Sequence, residues 1–448
     1  MADMVARCCG LKFRLSAMMF LEFFIWGAWL PLIFDYLPGM GYTKDEIPWI
    51  LGMFNLAALF ALFVGTQFAD RNFAAQKFLS FSHLVGGAAI LGLAFIEKPA
   101  DGPAPFWPFL ILMAIHSLFY VPTISITNSI AFANLKDPQR EFGLIRLWGT
   151  IGWIAAAWPF VFILVDWSKV PAIGDTGVVD WLKTALGTGK KGNDLLKATS
   201  YTFMVSGIAS LALAALSLTL PHTPPRPPAE GGDKLAWLEA VKLLRKPFVL
   251  VLFFVTFLDA AIHQAYFYWS ATYLKGGVGI PANWIMPIMS IGQVAEIATM
   301  AFLGYVLKRL GWRFTMVVGI LGHAGRFAAF AFYPEPAVAI LVNVLHGICY
   351  AFFFATVYIF IDEFFPKDIR SSAQGLFNFL ILGAGPFVSN FVSAALADQY
   401  ATARDKNGAP IKFDFQQIFL YPCAVALVAA VLLMLFFHPP KKAEPPAA

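Results

Sequence analysis

The chain has 448 residues, of which 59% are hydrophobic, 16% aromatic and only 13% Asp, Glu, Lys or Arg, with a mean hydropathy of +0.69 and a net charge of +5. A water-soluble domain carries about 25% charged residues, so this composition excludes an ordinary soluble protein, and apolar runs of roughly 20 residues, long enough to cross a bilayer as helices, exclude a disordered or collagen-like one. The lipid bilayer is the expected solvent, the modest positive charge is to be read by side of the membrane, and nothing resembles a nucleic-acid module.

At the N-terminus Arg7, Lys12 and Arg14 precede an apolar run that imitates a signal peptide, but no small-residue cleavage site follows and the run is full length, so it reads as a first span. Cys8 and Cys9 read as free thiols in a short cytosolic tail, with lipidation the alternative, and Cys349 and Cys423 lie inside apolar runs, so no disulfide framework is indicated. Twelve spans are predicted, at 15–34, 47–69, 77–97, 106–133, 144–165 and 199–220, then 247–271, 284–307, 312–333, 337–364, 371–396 and 415–438. Between the two sets of six, residues 221–246 start with a Pro-rich stretch and continue with Leu235, Leu238 and Val241 set against Lys234, Lys242 and Arg245, the pattern of a linker with a short amphipathic surface helix. This gives an all-α membrane protein with a six-helix bundle in 1–220, a linker in 221–246 and a second six-helix bundle in 247–448.

Lys and Arg set the orientation. The segments on the N-terminal side of the membrane hold 19 of them and the opposite loops 11, five of which sit in the long 166–198 loop where the positive-inside rule is weak. Both termini are therefore expected in the cytoplasm. The halves also echo each other: Thr66-Gln-Phe-Ala-Asp70-Arg71 follows span 2, Gly304-Tyr-Val-Leu-Lys308-Arg309-Leu-Gly311-Trp-Arg313 follows span 8, and Ile145-Arg146 and Ile369-Arg370 open spans 5 and 11. Repeated inner-loop signatures on six plus six spans are the pattern of a transporter made of two related bundles. On these residues the chain resembles the major facilitator superfamily, whose inner-loop motif the second copy matches at Gly304, Arg309, Gly311 and Arg313, whereas Thr66 and Phe73 replace glycines in the first.

An ionisable side chain inside the bilayer is costly unless it faces a polar cavity, so each is a functional candidate. Glu22, His116, Arg146, Asp259, His263, Glu296 and His346 qualify. His323 and Arg326 in span 9 read instead as a structural pair or a snorkelling site. Gln293 and Glu296 are three apart on one helix face, with Gly292 and Ala295 allowing a neighbour close; Glu296 can load and release a proton there, or serve as a buried structural carboxylate. Asp259, His263 and Tyr266 at i, i+4 and i+7 form a polar stripe suited to a proton relay or to hydrogen-bonded packing, and Gln264 points about 100° away, better placed to read a ligand. His346 and Tyr350 stand one turn apart beside Phe352, Phe353 and Phe354, aromatics able to stack on a planar solute, although most of the 46 Phe must be packing. Arg146 and Thr150 are likewise one turn apart, followed by Trp153, and line a cavity wall or anchor the helix start.

Four segments carry a closer likeness: Ile145-Arg146-Leu-Trp-Gly-Thr150-Ile-Gly152, Leu218-Thr-Leu-Pro221-His222, Ile288-Met-Ser290-Ile-Gly-Gln293-Val-Ala-Glu296 and Ile369-Arg370-Ser-Ser-Ala-Gln374-Gly375. Together with Phe20-Leu-Glu22-Phe-Phe-Ile-Trp26, they resemble the bacterial nucleoside:proton symporter family over essentially all twelve spans. The resemblance implies a central nucleoside site formed by Arg146, Thr150, Trp153, Gln264, Gln293 and Glu296, with span 10 aromatics, here Tyr350 and Phe353, stacking on the base and His346 nearby. Two positions depart from the family: Ala351 follows Tyr350 where an aspartate is usual, and Phe267 stands where a ligand-binding asparagine is usual. Glu22 and Asp259 are the candidates to replace the missing carboxylate.

The expectation is a monomeric inner-membrane carrier that imports nucleosides with protons, using no metal or cofactor. A facilitator or exporter of another polar solute, such as a sugar or drug, is the alternative within transport, and a nucleoside-sensing receptor that lost coupling is the one outside it. An enzyme is not expected, since no metal-ligand cluster, nucleophile motif or phosphate loop appears.

Overall fold

A chain in hydrocarbon must satisfy its backbone hydrogen bonds within each crossing segment, and helices do this locally. The computed structural model describes residues 2–60, 73–225, 241–365, 370–405 and 408–439, and of residues 2–9, 138–140 and 370–372 the backbone alone. The expected amphipathic helix in the linker, the Asp70-Arg71 loop and Ile369 lie outside the described residues, and the side chains of Cys8, Cys9 and Arg370 do too.

The principal helices are α1 (Ala2–Gly39), α2 (Glu46–Phe60), α3 (Ala75–Leu93), α4 (Phe106–Asn134), α5 (Glu141–Ile163) and α6 (Gly192–Ser217), then α7 (Pro247–Gly276), α8 (285–310), α9 (312–332), α10 (Pro336–Phe364), α11 (Ala373–Gln399) and α12 (Phe415–Phe436). Nine helical segments among the described residues are long and apolar enough to cross a membrane. One of them, Ala282–Phe332, contains both α8 and α9, which meet at Gly311 with φ +71°, a left-handed backbone that a side chain would strain. The helix α2 is described over 15 residues, and α3 over 19. Predicted limits agree well for α4 and α12, while α6 starts before the expected residue 199. The preceding loop holds a helix, Val178–Gly187, and the connection from α11 to α12 is an antiparallel hairpin of Ala401–Arg404 with Pro410–Phe413.

Small residues let the helices of each half meet closely. A Cβ on Gly152 of α5 would lie 2.1 Å from the Phe20 carbonyl oxygen of α1, and one on Gly207 of α6 would lie 2.6 Å from Leu91 of α3. In the second half, Gly292 of α8 packs on His346 of α10 and Gly385 of α11 on Ala260 of α7. Arg14 donates to the Thr219 carbonyl and Phe248 packs on Phe437, so the starts of α1 and α7 share a face with the ends of α6 and α12. This is the linker face; the opposite one is the far face. The halves touch where α2 meets α11, through Gly52 on Phe387 and Gly383 on Leu59, and where α1 meets α7, through Phe34 on Tyr268.

Candidate functional site

Between the halves lies a cavity of about 440 Å³, within the range of small-molecule sites. Helices α1, α2, α4 and α5 line it from one side and α7, α8, α10 and α11 from the other. Arg146, Thr150 and Trp153 fall on one stripe of α5 and all reach the cavity. The Arg146 guanidinium rests 3.9 Å over the Phe23 ring and Trp153 meets Trp26 edge-on at 5.3 Å, so the start of α5 is a cavity wall rather than an interfacial anchor. Opposite, Gln293 and Glu296 of α8 and Gln264 of α7 line the same space, as do His346 and Tyr350 of α10. The close approach expected at Gly292 and Ala295 is made by α10: a Cβ on Gly347 would sit 2.4 Å from the Glu296 nitrogen.

Three expected site residues lie elsewhere. Phe353 packs against Gly319 of α9 and does not line the cavity, and Phe354, itself almost wholly buried, takes its place on the cavity wall. The cause is the turn type: Tyr350–Ala355 is a π-helix, whose wider turn brings residue i+4 rather than i+3 over Tyr350. Glu22 sits inside the first half, behind the cavity wall. Its carboxylate pairs with His83 Nε2 at 2.9 Å and accepts from the Thr123 hydroxyl at 2.7 Å, and the Tyr120 hydroxyl donates to its carbonyl. Asp259 is buried on the side of α7 away from the cavity, where its carboxylate faces His323 Nε2 at 3.7 Å, so the expected Asp259–His263 relay is not formed; His263 turns to the cavity instead. His116 packs inside the first half and hydrogen-bonds to the Gly86 carbonyl. Arg326 is fully buried and bonded to two histidines, which is the structural pairing expected of span 9 and not a snorkelling site.

Sequence reasoning passed over the asparagines. Asn55, Asn128 and Asn378 line the cavity, and Asn390 joins it to the interface between the halves. The Gln264 amide donates to Asn390 Oδ1 at 2.9 Å, Asn390 donates to Asn55 Oδ1 at 3.0 Å, and Asn55 donates to the Leu382 carbonyl at 3.0 Å. The available signal was a carboxamide in an apolar run, which in hydrocarbon needs a partner on another helix.

The far face is held shut across the halves. Lys275 of α7 pairs with Asp35 of α1, and Lys44 pairs with Asp398 at 3.0 Å, an aspartate that also takes Arg404 at 2.7 Å. Asn283 and Trp284 donate to the Leu186 carbonyl at 3.1 and 2.8 Å, tying the start of α8 to the loop helix of the first half. The hydrogen bond that Lys44 donates to Asp398 holds the pKa of its ammonium above the usual range, and Lys169 and Ser168 hold that of the Asp166 loop carboxylate down at about 2.

Known proteins share this architecture. The crystal structure of the nucleoside transporter NupG superposes with a TM-score of 0.74 at 23% identity over 96% of this chain and 100% of that one. A bacterial homologue of the human lysosomal transporter Spinster, in an inward-facing state, gives 0.73 at 13% identity over 96% of each chain. In sequence, YegT of Escherichia coli (strain K12), whose name gives nucleoside transport as a provisional assignment, is 31% identical over 94% of this chain and 92% of its own. The xanthosine permease of the same organism is 25% identical over 94% and 95%. A family model described as nucleoside H+ symporter matches residues 9–175 and 169–442. With both a whole-length family match and a relative above 30% identity, the chain belongs to the nucleoside H+ symporter family, a family of membrane transporters and not of enzymes.

Proposed function

We propose that this protein carries nucleosides into the cell across the cytoplasmic membrane by alternating access, coupled to protons, as a monomer with both termini and the 221–246 linker in the cytoplasm. The observation that carries the reading is the convergence on one cavity of a guanidinium, a carboxylate, five carboxamides and several aromatic rings, drawn from both halves of the chain. A nucleoside has a planar face and polar edges. Tyr350 and Phe354 offer rings for the base, Gln264 and Gln293 read its edges, and Arg146 and Thr150 hydrogen-bond ribose or base, with Trp153 closing the wall. The bundles 1–220 and 247–448 rock about this site, the far face being the closed side in the state described.

Glu296 is the carboxylate that reaches the cavity, so it is assigned the transported proton; Asp259 and Glu22, behind the walls, act on it only through other groups. Membership of a proton-symporter family supports coupling in spite of Ala351.

The test is uptake of labelled uridine by proteoliposomes, competed with unlabelled compounds. Purine and pyrimidine nucleosides should compete and sugars should not. Competition by sugars alone would move the assignment to another polar solute, and saturable uridine binding without counterflow would make the protein a receptor.

A further inference from the structure

Behind the cavity wall of the second half lies a polar chain that reaches the cavity at His346 and Gln293 and whose buried members, Arg326 and His323, the transport reading does not use. Arg326 of α9 is fully buried, its guanidinium 3.8 Å over the Tyr266 ring. It donates from Nη1 to His346 Nδ1 at 3.1 Å and from Nη2 to His323 Nδ1 at 2.8 Å. On the far side of His323, Nε2 faces the buried carboxylate of Asp259 at 3.7 Å. On the cavity side of His346, Nε2 lies 3.4 Å from the carboxamide of Gln293.

A guanidinium has five N–H donors and no acceptor. Both Nδ1 atoms must therefore accept, and each imidazole carries its one proton on Nε2. For His323 that proton points at Asp259, so the carboxylate and the guanidinium balance each other through a neutral ring. For His346 it points at Gln293, and a donor there must be met by an acceptor. The two ends of a carboxamide have nearly the same shape, so the hydrogen-bonding pattern decides which end faces which neighbour. The carboxamide oxygen therefore faces His346 and its NH2 is left at the end that has no protein partner.

We propose that Arg326 is a positioning residue that fixes His346 as the Nε2–H tautomer and thereby makes Gln293 a hydrogen-bond donor to the solute, selecting an acceptor such as a base carbonyl or imine nitrogen. The identity of the solute rests on the nucleoside reading; the tautomer does not. While the Arg326 bond stands, Nδ1 has no room for a second proton, so His346 does not switch between donor and acceptor states as pH changes. The other ionisable groups around His346 are Asp259, His263 and Tyr266 on α7, Glu296 on α8, His323 on α9, and Cys349 and Tyr350 on its own helix, with Arg146 across the cavity. Among these, Arg326 is the donor bonded to the His346 ring.

Two measurements test this. In 15N-histidine NMR of the full-length protein in lipid, with His346 assigned by loss of its signal in His346→Gln, the ring should show the Nε2–H pattern unchanged from pH 5.5 to 8. An Nδ1–H pattern, or titration in that interval, would overturn the proposal whatever the solute is. Second, in the charge-balanced variant Arg326→Met/Asp259→Asn, His346 should titrate, and uridine affinity should be up to about tenfold weaker than wild type at pH 8, the loss of one hydrogen bond, and recover toward wild type at pH 5.5, where the imidazolium again donates from Nε2, with no such change added in wild type. If that variant folds and its pH profile matches wild type, Arg326 is only packing. If wild type binds no nucleoside at all, the reading of the cavity fails while the NMR result still decides the tautomer.

Discussion

Which ring faces the solute turns on a single extra residue in a helical turn. Tyr350 was legible as a cavity residue, but Phe353 and Phe354 have equal claims on an ideal α-helix and only the π-turn separates them. The two predict different phenotypes. Both rings are almost wholly buried, so each truncation should lower stability by about 3–5 kcal/mol, as for a deleted core aromatic. Phe354→Ala should in addition raise the Kd for uridine about tenfold or more, the worth of a base–ring stack, whereas Phe353→Ala should leave a similar Kd in the protein that remains folded. Ligand titration and thermal unfolding of both variants separate these outcomes. Glu296 and Gln293 were legible because a three-residue spacing on one helix keeps two polar groups on one face. Asp259 was misread for the opposite reason: its partner His323 is 64 positions away on another helix, and spacing along α7 suggested His263.

Helix contacts follow the same division. Gly292 and Ala295 announced a close neighbour, yet the neighbours themselves, His346 and Gly347 on α10, could not be read from local pattern because the contacts join residues on separate helices. With a Cβ at Gly347 only 2.4 Å from the Glu296 nitrogen, α8 and α10 cannot both stay in place once a methyl is added. Gly347→Ala should cost about 1–3 kcal/mol of stability through overpacking and lower uridine transport, because Glu296 is carried on the displaced backbone. Normal melting and normal uptake in that variant would show that the contact is not tight. The order of the helices and a gap between 307 and 312, where Gly311 breaks α8 from α9, were present in hydropathy and in the repeated loop. The hairpin after α11 and the helix in the 166–198 loop were not, since short exposed elements carry no long apolar period.

For the molecule as a whole, the cross-bundle ties on the far face define the state, and among them the Asp35–Lys275 pair joins the first helix of each half. Asp35→Lys should release that face and populate a form open on it, and the reciprocal exchange Asp35→Lys/Lys275→Asp should restore closure. Distances between spin labels on the far-face ends of α1 and α7 would show a longer population in the single variant only. Two loop charges on the far face, Lys44 and Asp166, do not sense pH in the working range. A raised Lys44 keeps its contribution below the ordinary lysine value and loses it only as pH rises through the higher one, and Asp166 keeps its contribution until pH falls through about 2. The central claim, that nucleoside and proton cross together through Glu296, is tested most directly by adding uridine outside proteoliposomes that contain a trapped pH dye. Wild-type protein should acidify the lumen as uridine enters and Glu296→Gln should not, whereas uridine entry with no pH change in wild type, or unchanged acidification by the variant, would contradict the account.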